Sequence, residues 1–216
     1  MANAKPVEVT ISDKSILEPE GSGKQVGVRR AELVAKTDKP AFTGVQTLHL
    51  SLLPDPSKPL NLSHEYQFFF METTDYGANQ LIIRAGAING DNSNARTIRV
   101  TGNTKTNNKV LFEAEFASDW HNFAFELDFS RNTVRIYYSR GRNSLRPVTS
   151  TISNDLSGQG TLHFGLLKKS TGAGRNGQDY LYSGYHESNI DEGIIFGGIF
   201  EENGSFDCSN SAGVGK

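Results

Sequence analysis

Cysteine is nearly absent from this chain, which contains only one in 216 residues. A single thiol excludes an internal disulfide framework and a zinc cluster made of cysteines. That residue, Cys208, borders a Gly/Ser/Asn-rich tail at 209–216, which we expect to be poorly ordered. No linker, repeat or change in composition divides the remainder, so we assign residues 1–208 to one domain.

The chain also lacks a strong excess of positive or negative charge, and it lacks a long apolar run. The net charge is −2 and the basic residues are scattered singly, which argues against nucleic acid as a partner. No apolar run approaches the length of a membrane-spanning helix, so we expect no membrane partner. The start, MANAKPVEV, lacks the apolar centre of a signal peptide. This fits a cytosolic protein, or a secreted one whose signal has been removed.

Helical periodicity is scarce, and period-two alternation takes its place. Residues 119–141 alternate on both sides of a short Ser-Arg-Asn turn, which predicts an antiparallel hairpin. The same pattern predicts further strands over residues 7–11, 26–34, 45–52, 64–72, 80–85, 97–101, 110–116, 161–168 and 193–200. Strands of this number and length predict an all-β fold, a β-jelly roll or concanavalin-like sandwich of two antiparallel sheets.

Two short motifs have simple explanations. Residues 172–177 spell GxGxxG, but no helical pattern follows to hold a dinucleotide phosphate, so we interpret them as part of a surface loop near a binding face. Residues 91–94 resemble the start of a calcium loop but lack its closing glutamate, so we interpret them as a turn.

Two carboxylates stand on strands in informative positions. Arg30 and Glu32 are same-face neighbours, so the guanidinium would keep Glu32 ionised. Strict alternation through residues 64–72 places Glu72 on one face with His64, Tyr66, Phe68 and Phe70. An apolar face would raise the pKa of Glu72, as a general acid requires. The pattern alone favours the simpler interpretation, in which Glu72 leaves the core for solvent.

Polar and aromatic residues cluster around Glu72 in the sequence. Rings that stack on sugars, together with amides and cations that bond hydroxyls, are typical of a saccharide cleft. The candidates for substrate binding are Tyr66, Tyr76, Asn79, Gln80 and Arg84. His49 and His163 alternate with apolar neighbours and so face away from the core; the pattern alone favours ordinary surface over cleft lining for both.

At this point the chain resembles glycoside hydrolase family 131. The matching pieces cover nearly the whole chain in order: VEVTISDKS, RRAEL, TLHLSLLPDPSKPLNLSHEY, METTDYGANQ, WHNFAFELDFSRNTVRIYYS, NDLSGQGTLHFGLLKK and GYHESNIDEGIIFGGIFEENG. The resemblance implies a β-jelly roll, hydrolysis of β-1,3/1,6- and β-1,4-glucans with inversion, and a catalytic pair formed by Glu32 and Glu72. The resemblance therefore favours a catalytic role for Glu72 over the simpler interpretation, in which this residue only leaves the core for solvent.

The prediction is a secreted, extracellular fungal-type β-glucanase that acts as a monomer and requires no metal or cofactor. We expect Glu72 to be the acid and Glu32 the base, although the two roles could be exchanged, with carboxyl groups roughly 6.5–9.5 Å apart. Arg30, His163 and His49 are candidates for catalytic support. The family pattern often has His-Glu-Ala where this chain has Met71-Glu72-Thr73, and this departure motivates an alternative, a lectin-like β-glucan-binding domain with little or no hydrolysis. A third possibility is a polysaccharide lyase that uses Tyr66 and Arg84.

Overall fold

The alternating segments form antiparallel strands in the computed structural model, which describes residues 5–35, 42–88, 90–92, 94–106, 108–172 and 179–207. In the described part of the chain the strands are β1 Val7–Ser12, β2 Val28–Val34, β3 Val45–Pro54, β4 Glu65–Thr73, β5 Asn79–Gly86, β6 Thr97–Thr101, β7 Val110–Glu115, β8 His121–Asp128, β9 Thr133–Arg140, β10 Arg146–Pro147, β11 Ile152–Ser153, β12 Gly160–Lys169 and β13 Asp191–Asn203. Every strand predicted from alternation is present. The two-residue strands β10 and β11 are too short to produce a pattern.

Two antiparallel sheets pack face to face, which confirms the predicted sandwich. Sheet A has the order β1-β13-β3-β8-β9-β10, with β11 also paired to β9, and sheet B has the order β2-β12-β4-β5-β6-β7. Aliphatic and aromatic side chains from the two inner faces form one large core. Among the described residues there is no helix of the length and apolarity needed to cross a membrane.

Irregular pairing in sheet B changes which residues face the core. The register between β4 and β5 shifts between Gln67 and Phe69, so Phe68 is an extra residue at a bulge. As a result Phe68 and Phe69 both lie in the core, whereas Phe70 lies in a second apolar cluster on the other side of the sheet. The prediction that Glu72 shares a face with Tyr66 and Phe68 is therefore wrong, because strict alternation does not hold through a bulge.

The bulge gives sheet B an outer face that carries most of the candidate residues. We call this surface the outer face of sheet B. It presents Arg30 and Glu32 from β2, His163 from β12, and Phe70 and Glu72 from β4. Because β12 lies between β2 and β4, two glutamates that are far apart in sequence meet on either side of one histidine.

Three of the sequence-based interpretations concern residues outside the part of the chain that the structure describes. These are most of the GxGxxG motif, at 173–177, the single cysteine Cys208, and the tail at 209–216. The division of the chain at residue 208 thus stays a prediction.

Candidate active site

Glu32 is held in place by its neighbour two residues earlier on β2. The guanidinium of Arg30 donates two hydrogen bonds to the Glu32 carboxylate, from Nε to Oε1 at 2.8 Å and from Nη2 to Oε2 at 2.6 Å. This same-face contact confirms the alternation predicted for β2. Only 7% of the Glu32 side chain is exposed, so the carboxylate is desolvated and depends on these donors.

A glycine on the neighbouring strand makes room for Glu32. Gly165 of β12 pairs with Glu32, and a β-carbon at that position would lie 2.2 Å from the carbonyl oxygen of Ala31 and 2.8 Å from Cγ of Glu32. Any larger residue would therefore push β2 and its carboxylate away from β12.

His163 connects the two glutamates. Its Nδ1 lies 3.0 Å from Oε2 of Glu32, and its Nε2 lies 3.5 Å from Oε2 of Glu72. Since an ionised carboxylate only accepts hydrogen bonds, Nδ1 carries the hydrogen, and in the neutral ring Nε2 presents its lone pair towards Glu72. The ring also stacks on Phe70, with centroids 4.3 Å apart and planes 11° from parallel. This contact fixes the orientation of the imidazole.

Glu72 is the more accessible member of the pair. Its side chain is 24% exposed, and it lies near the end of β4 opposite Asn79 of β5. The side-chain oxygen of Asn79 is buried without a hydrogen-bond partner.

The environment shifts the pKa values of the two glutamates in opposite directions. Burial raises the pKa of Glu32, but the hydrogen bonds from His163 and Arg30 outweigh it, and the pKa lies below its usual value. Burial dominates at Glu72 and raises its pKa, against the opposing charges of His163 and Arg30. One carboxyl group is thus kept ionised and the other is favoured as the protonated acid, the combination that general acid–base catalysis requires.

The shared imidazole limits the separation of the pair. The contacts of 3.0 Å and 3.5 Å are joined by one ring. The ring nitrogens are about 2 Å apart, so the two Oε2 atoms lie within about 9 Å of each other. Carboxyl groups on one face at such a distance can act together on a single bond.

An apolar patch and a loop border the pair. Val28, Phe70, Ile82 and Leu167 form the patch, and Leu181 from the segment before β13 packs onto it. The same segment carries Tyr180, whose ring lies 4.8 Å from Nζ of Lys169. Burial raises the pKa of Tyr180, and the charges of Glu65, Arg30 and Glu72 also affect it. Tyr180 therefore lies over Lys169, on the same strand as His163.

Three of the predicted substrate-binding residues lie outside the core, and Tyr76 is the exposed one among them. Tyr76 lies in the turn after β4, is 80% exposed and has a φ of 56°. Asn79 lies opposite Glu72, as described above. Arg84 is on the outer face of sheet B opposite Gln67, about 15 Å from Glu72 along the strand, and it donates to the hydroxyl of Thr101. Their contact with substrate remains a prediction.

Tyr66 and Gln80 are corrections to the predicted substrate-binding set. Tyr66 is fully buried in the core between the sheets and donates to Glu192. Gln80 is the extra residue at a second register shift in β5, fully buried, and its amide donates to the carbonyl oxygens of Leu156 and Ser157. Both side chains are sealed from any ligand on the outer face.

His49 is also misplaced by the sequence-based prediction of catalytic support. It does face away from the core, but it belongs to β3 in sheet A, whereas both glutamates belong to sheet B. Its ring stacks on Phe200 at 4.2 Å, and its Nε2 contacts Glu202 at 3.2 Å. Together with Ser51 and Asn122 it lines a cavity of about 110 Å³ on that sheet. Alternation gives the face of a strand but not the sheet to which it belongs.

Three residues of the site were not identified from the sequence: Gly165, Phe70 as the stacking partner of His163, and Tyr180. A glycine within an otherwise regular strand is a sequence signal for close approach of another chain segment. The aromatic run DYLYSGYH was a visible signal for Tyr180, since the sequence predicts a loop near a binding face there.

The fold and the site together define a class of protein. An ionised carboxylate, a carboxyl group of raised pKa and a bridging imidazole lie on one open face of a β-sandwich. These are the groups that general acid–base hydrolysis of a glycosidic bond requires.

Comparison with known proteins identifies the family. The model of the glycoside hydrolase 131 catalytic N-terminal domain matches residues 1–206. The chain therefore belongs to glycoside hydrolase family 131 and is a glycoside hydrolase catalytic domain, which confirms the resemblance seen in the sequence.

Solved structures agree with this assignment at the level of the fold. A GH131 β-glucanase catalytic domain from Podospora anserina superposes with a TM-score of 0.71 at 21% identity, covering 93% of this chain and 73% of that one. The catalytic domain of a family 131 protein from Coprinopsis cinerea gives 0.67 at 18% identity, with coverage of 93% and 71%. Among curated proteins none matches the sequence.

Proposed function

We propose that this domain is a β-glucanase that hydrolyses β-1,3/1,6- and β-1,4-glucans with Glu72 as general acid and Glu32 as general base. The observation that carries the proposal is the contact of both carboxyl groups with one imidazole, 3.0 Å from Glu32 and 3.5 Å from Glu72, combined with their opposite pKa shifts. The β-glucanase activity named for the Podospora anserina structure supports the choice of substrate.

The proposed reaction inverts the anomeric centre. Glu72 gives its proton to the glycosidic oxygen as the C1–O bond breaks. A water molecule attacks C1 from the opposite side and loses a proton to Glu32. After each turnover Glu32 releases this proton to solvent and Glu72 takes one up from solvent, while His163 contacts both carboxyl groups and keeps them close together. An upper limit of about 9 Å on the separation of the pair is compatible with the space that the water requires.

Separate Glu32→Gln and Glu72→Gln variants test the pair, with Glu115→Gln as the matched control. Glu115 is exposed and pairs with Arg140 at the sheet edge, so its variant should keep full activity. On soluble β-glucan we expect each site variant to lose activity about 100-fold or more. Wild-type activity in either site variant would refute the pair.

Two further measurements separate the roles. An aryl β-glucoside with a good leaving group needs no acid, so Glu72→Gln should keep more activity on it than Glu32→Gln. Proton NMR of the first product formed should show the α-anomer; a β-anomer would mean retention and would make one glutamate a nucleophile.

A lectin-like binding domain is the second candidate, and the tight enclosure of Glu32 favours it. With 7% of its side chain exposed and both oxygens bonded by Arg30, Glu32 has little room for water. Saturable glucan binding without release of reducing sugar would support this alternative. Met71, which motivated it from the sequence, is fully buried in the core and does not line the site. The lyase that uses Tyr66 is wrong, because its hydroxyl is sealed in the core and bonded to Glu192.

We also propose that the enzyme acts outside the cell as a monomer. Wall glucans are extracellular polymers that do not cross a membrane, so an enzyme that degrades them must meet them there. Activity recovered with the washed cells rather than the medium would contradict the location, and light scattering of the purified protein tests the monomer.

A further inference from the structure

A second group of functional side chains lies at the opposite end of β4. It consists of His64, which directly precedes β4, and His186 and Glu187, which precede β13. One nitrogen or oxygen atom from each of the three lies within 4.8 Å of the others. His64 is about eight strand residues, or about 25 Å, from Glu72, so the group is separate from the glutamate pair.

The hydrogen bonding of His64 directs a lone pair into this group. Nδ1 of His64 lies 2.8 Å from the carbonyl oxygen of Lys169, and a carbonyl only accepts, so Nδ1 carries the hydrogen. A carbonyl that orients Nδ1–H in this way is the usual support for a histidine that binds a metal through Nε2. The Nε2 atom points to Oε2 of Glu187 at 2.8 Å.

The contact between His64 and Glu187 does not have the geometry of a hydrogen bond. Despite the short distance, Oε2 of Glu187 is buried without a hydrogen-bond partner. A proton shared between the two atoms would require better alignment. Two groups that both present lone pairs are brought together, an arrangement that a cation would stabilise.

Glu187 is oriented from its other oxygen. Oε1 accepts hydrogen bonds from Nζ of Lys168 at 2.5 Å and from Nδ2 of Asn61 at 2.8 Å. These donors hold the group as a carboxylate and leave Oε2 facing the histidines. With 28% of the Glu187 side chain exposed, the group lies near the surface, although Oε2 itself is buried.

His186 completes the set. Its ring is parallel to that of His64, with centroids 5.4 Å apart and planes 2° from parallel. Both ring nitrogens are buried without a hydrogen-bond partner, apart from a weak interaction with the backbone of Gly27. Buried ring nitrogens that lack a well-formed hydrogen bond are costly in a folded protein and call for an explanation.

We propose that His64, His186 and Glu187 form a binding site for a divalent transition-metal ion, with Zn²⁺ the best match. Two imidazoles and one carboxylate are a common zinc ligand set, to which a water molecule would add the fourth ligand. Ligand atoms around tetrahedral zinc lie about 3.5 Å apart. Separations of up to 4.8 Å therefore need to close by about 1 Å, and the 2.8 Å contact between His64 and Glu187 needs to open by less than 1 Å.

The nearby positive charges lower the affinity of the site for a metal ion but do not prevent binding. Lys168 and Arg29 are close enough to His186 for their charges to affect it. The carboxylate of Glu192 accepts from Lys168 at 2.8 Å. Two cations therefore face two carboxylates, and an added ion is not opposed by a net positive surrounding.

The bound ion would fasten the segment before β13 to sheet B. Two ligands come from this segment and the third from the residue before β4. The same segment carries Leu181, which covers the apolar patch under the glutamates, and Tyr180. The site is thus structural, and hydrolysis does not need the ion for its chemistry.

Calorimetric titration of chelator-treated protein with Zn²⁺ tests the proposal, together with Co²⁺, whose visible spectrum reports four-coordinate binding. We expect one ion per chain. At about 100 times the Kd, Zn²⁺ should raise the Tm by about 5–10 °C. His186→Ala and Glu187→Gln should each weaken binding at least tenfold, and circular dichroism verifies that both fold. His49→Asn, a histidine on the other sheet, is the matched control and should bind as the wild type does.

Absence of binding would overturn the proposal, as would binding that both ligand variants retain. Loss of binding in His163→Asn, with retention in His186→Ala, would assign the ion to the glutamate pair and would also overturn it. Since the readouts are stoichiometry, spectrum and Tm, they are independent of whether the domain hydrolyses glucan.

Discussion

Replacing Arg30 by Gln should move the acid limb of the pH–activity profile to higher pH. Glu32 must be ionised to accept a proton, and the hydrogen bonds from His163 and Arg30 hold its pKa below the usual value against the opposing effect of burial. A depressed pKa keeps the base active at low pH. The neutral side chain removes both guanidinium bonds, so the pKa of Glu32 rises and the acidic part of the profile is lost first.

The size of the effect follows from the geometry of the pair. The bonds of 2.8 and 2.6 Å join a side chain that is 20% exposed to one that is 7% exposed, so the contact is largely shielded from solvent. A charge partner in such contact shifts a carboxyl pKa by about 1–3 units. On the acid limb each unit reduces the ionised fraction of Glu32 tenfold. At a fixed pH on that limb, kcat/KM should fall about 10-fold or more.

The alkaline limb should move in the same direction but less. Arg30 also lowers the pKa of Glu72, though His163 opposes its burial more strongly. Removal of Arg30 thus raises the pKa of the acid as well and preserves its protonated form to higher pH. The whole bell-shaped pH–activity profile therefore moves to higher pH, and its acid limb moves furthest.

The assay is kcat/KM on soluble β-glucan across the stable pH range, with Tm measured at each pH. Arg30→Lys keeps the charge without the two-pronged contact and should give an intermediate displacement. Arg29→Gln is the matched control, because Arg29 donates to the carbonyl oxygens of Val26 and Val28 and not to Glu32. An unchanged acid limb in folded Arg30→Gln would refute the role of Glu32 as base.

Three further predictions concern the surroundings of the pair. Gly165→Ala places a β-carbon 2.2 Å from the Ala31 carbonyl oxygen. Activity should therefore fall about 100-fold as β2 is displaced, and the Tm should also fall. Unchanged activity and Tm would mean that the two strands accommodate the methyl group. Tyr76→Ala should raise KM about tenfold at similar kcat if the exposed ring stacks on sugar, with Tyr76→Phe as control, and an unchanged KM would exclude that contact. Lys168→Met leaves the buried Glu192 and the partly buried Glu187 without their ammonium and should cost about 3–5 kcal/mol, seen as a Tm lower by about 10 °C. A stable variant would show that the network is dispensable.

Local pattern was sufficient for the strands and for one of the two glutamates. Arg30 and Glu32 are two residues apart on a regular strand, and their contact is the direct result of alternation. The hairpin of β8 and β9 was likewise predictable, since its turn contains Asn132 in the left-handed conformation that asparagine tolerates.

Contacts between distant strands could not be predicted in this way. The adjacency of His163 to both glutamates depends on β12 pairing with β2 and β4, which no local pattern specifies. The bulge at Phe68 is equally hidden, because the run Phe68-Phe69-Phe70 offers three residues of the same character and no marker for the change of phase. The error for Tyr66 followed from it.

The opposite behaviour of the two glutamates comes from how one histidine and one arginine lie relative to the strand pairing. His163 lies 3.0 Å from Glu32 and 3.5 Å from Glu72, so its hydrogen bond lowers the pKa of Glu32 first. Arg30 lies on the same strand and face as Glu32, so its fork reaches that carboxylate directly. Glu72 is two strands away across β12, where His163 lies between it and the guanidinium. Burial therefore prevails at Glu72 and is overcome at Glu32, although both groups occupy the same face. Moving the cation to the β4 side of His163 would be expected to exchange the roles of acid and base.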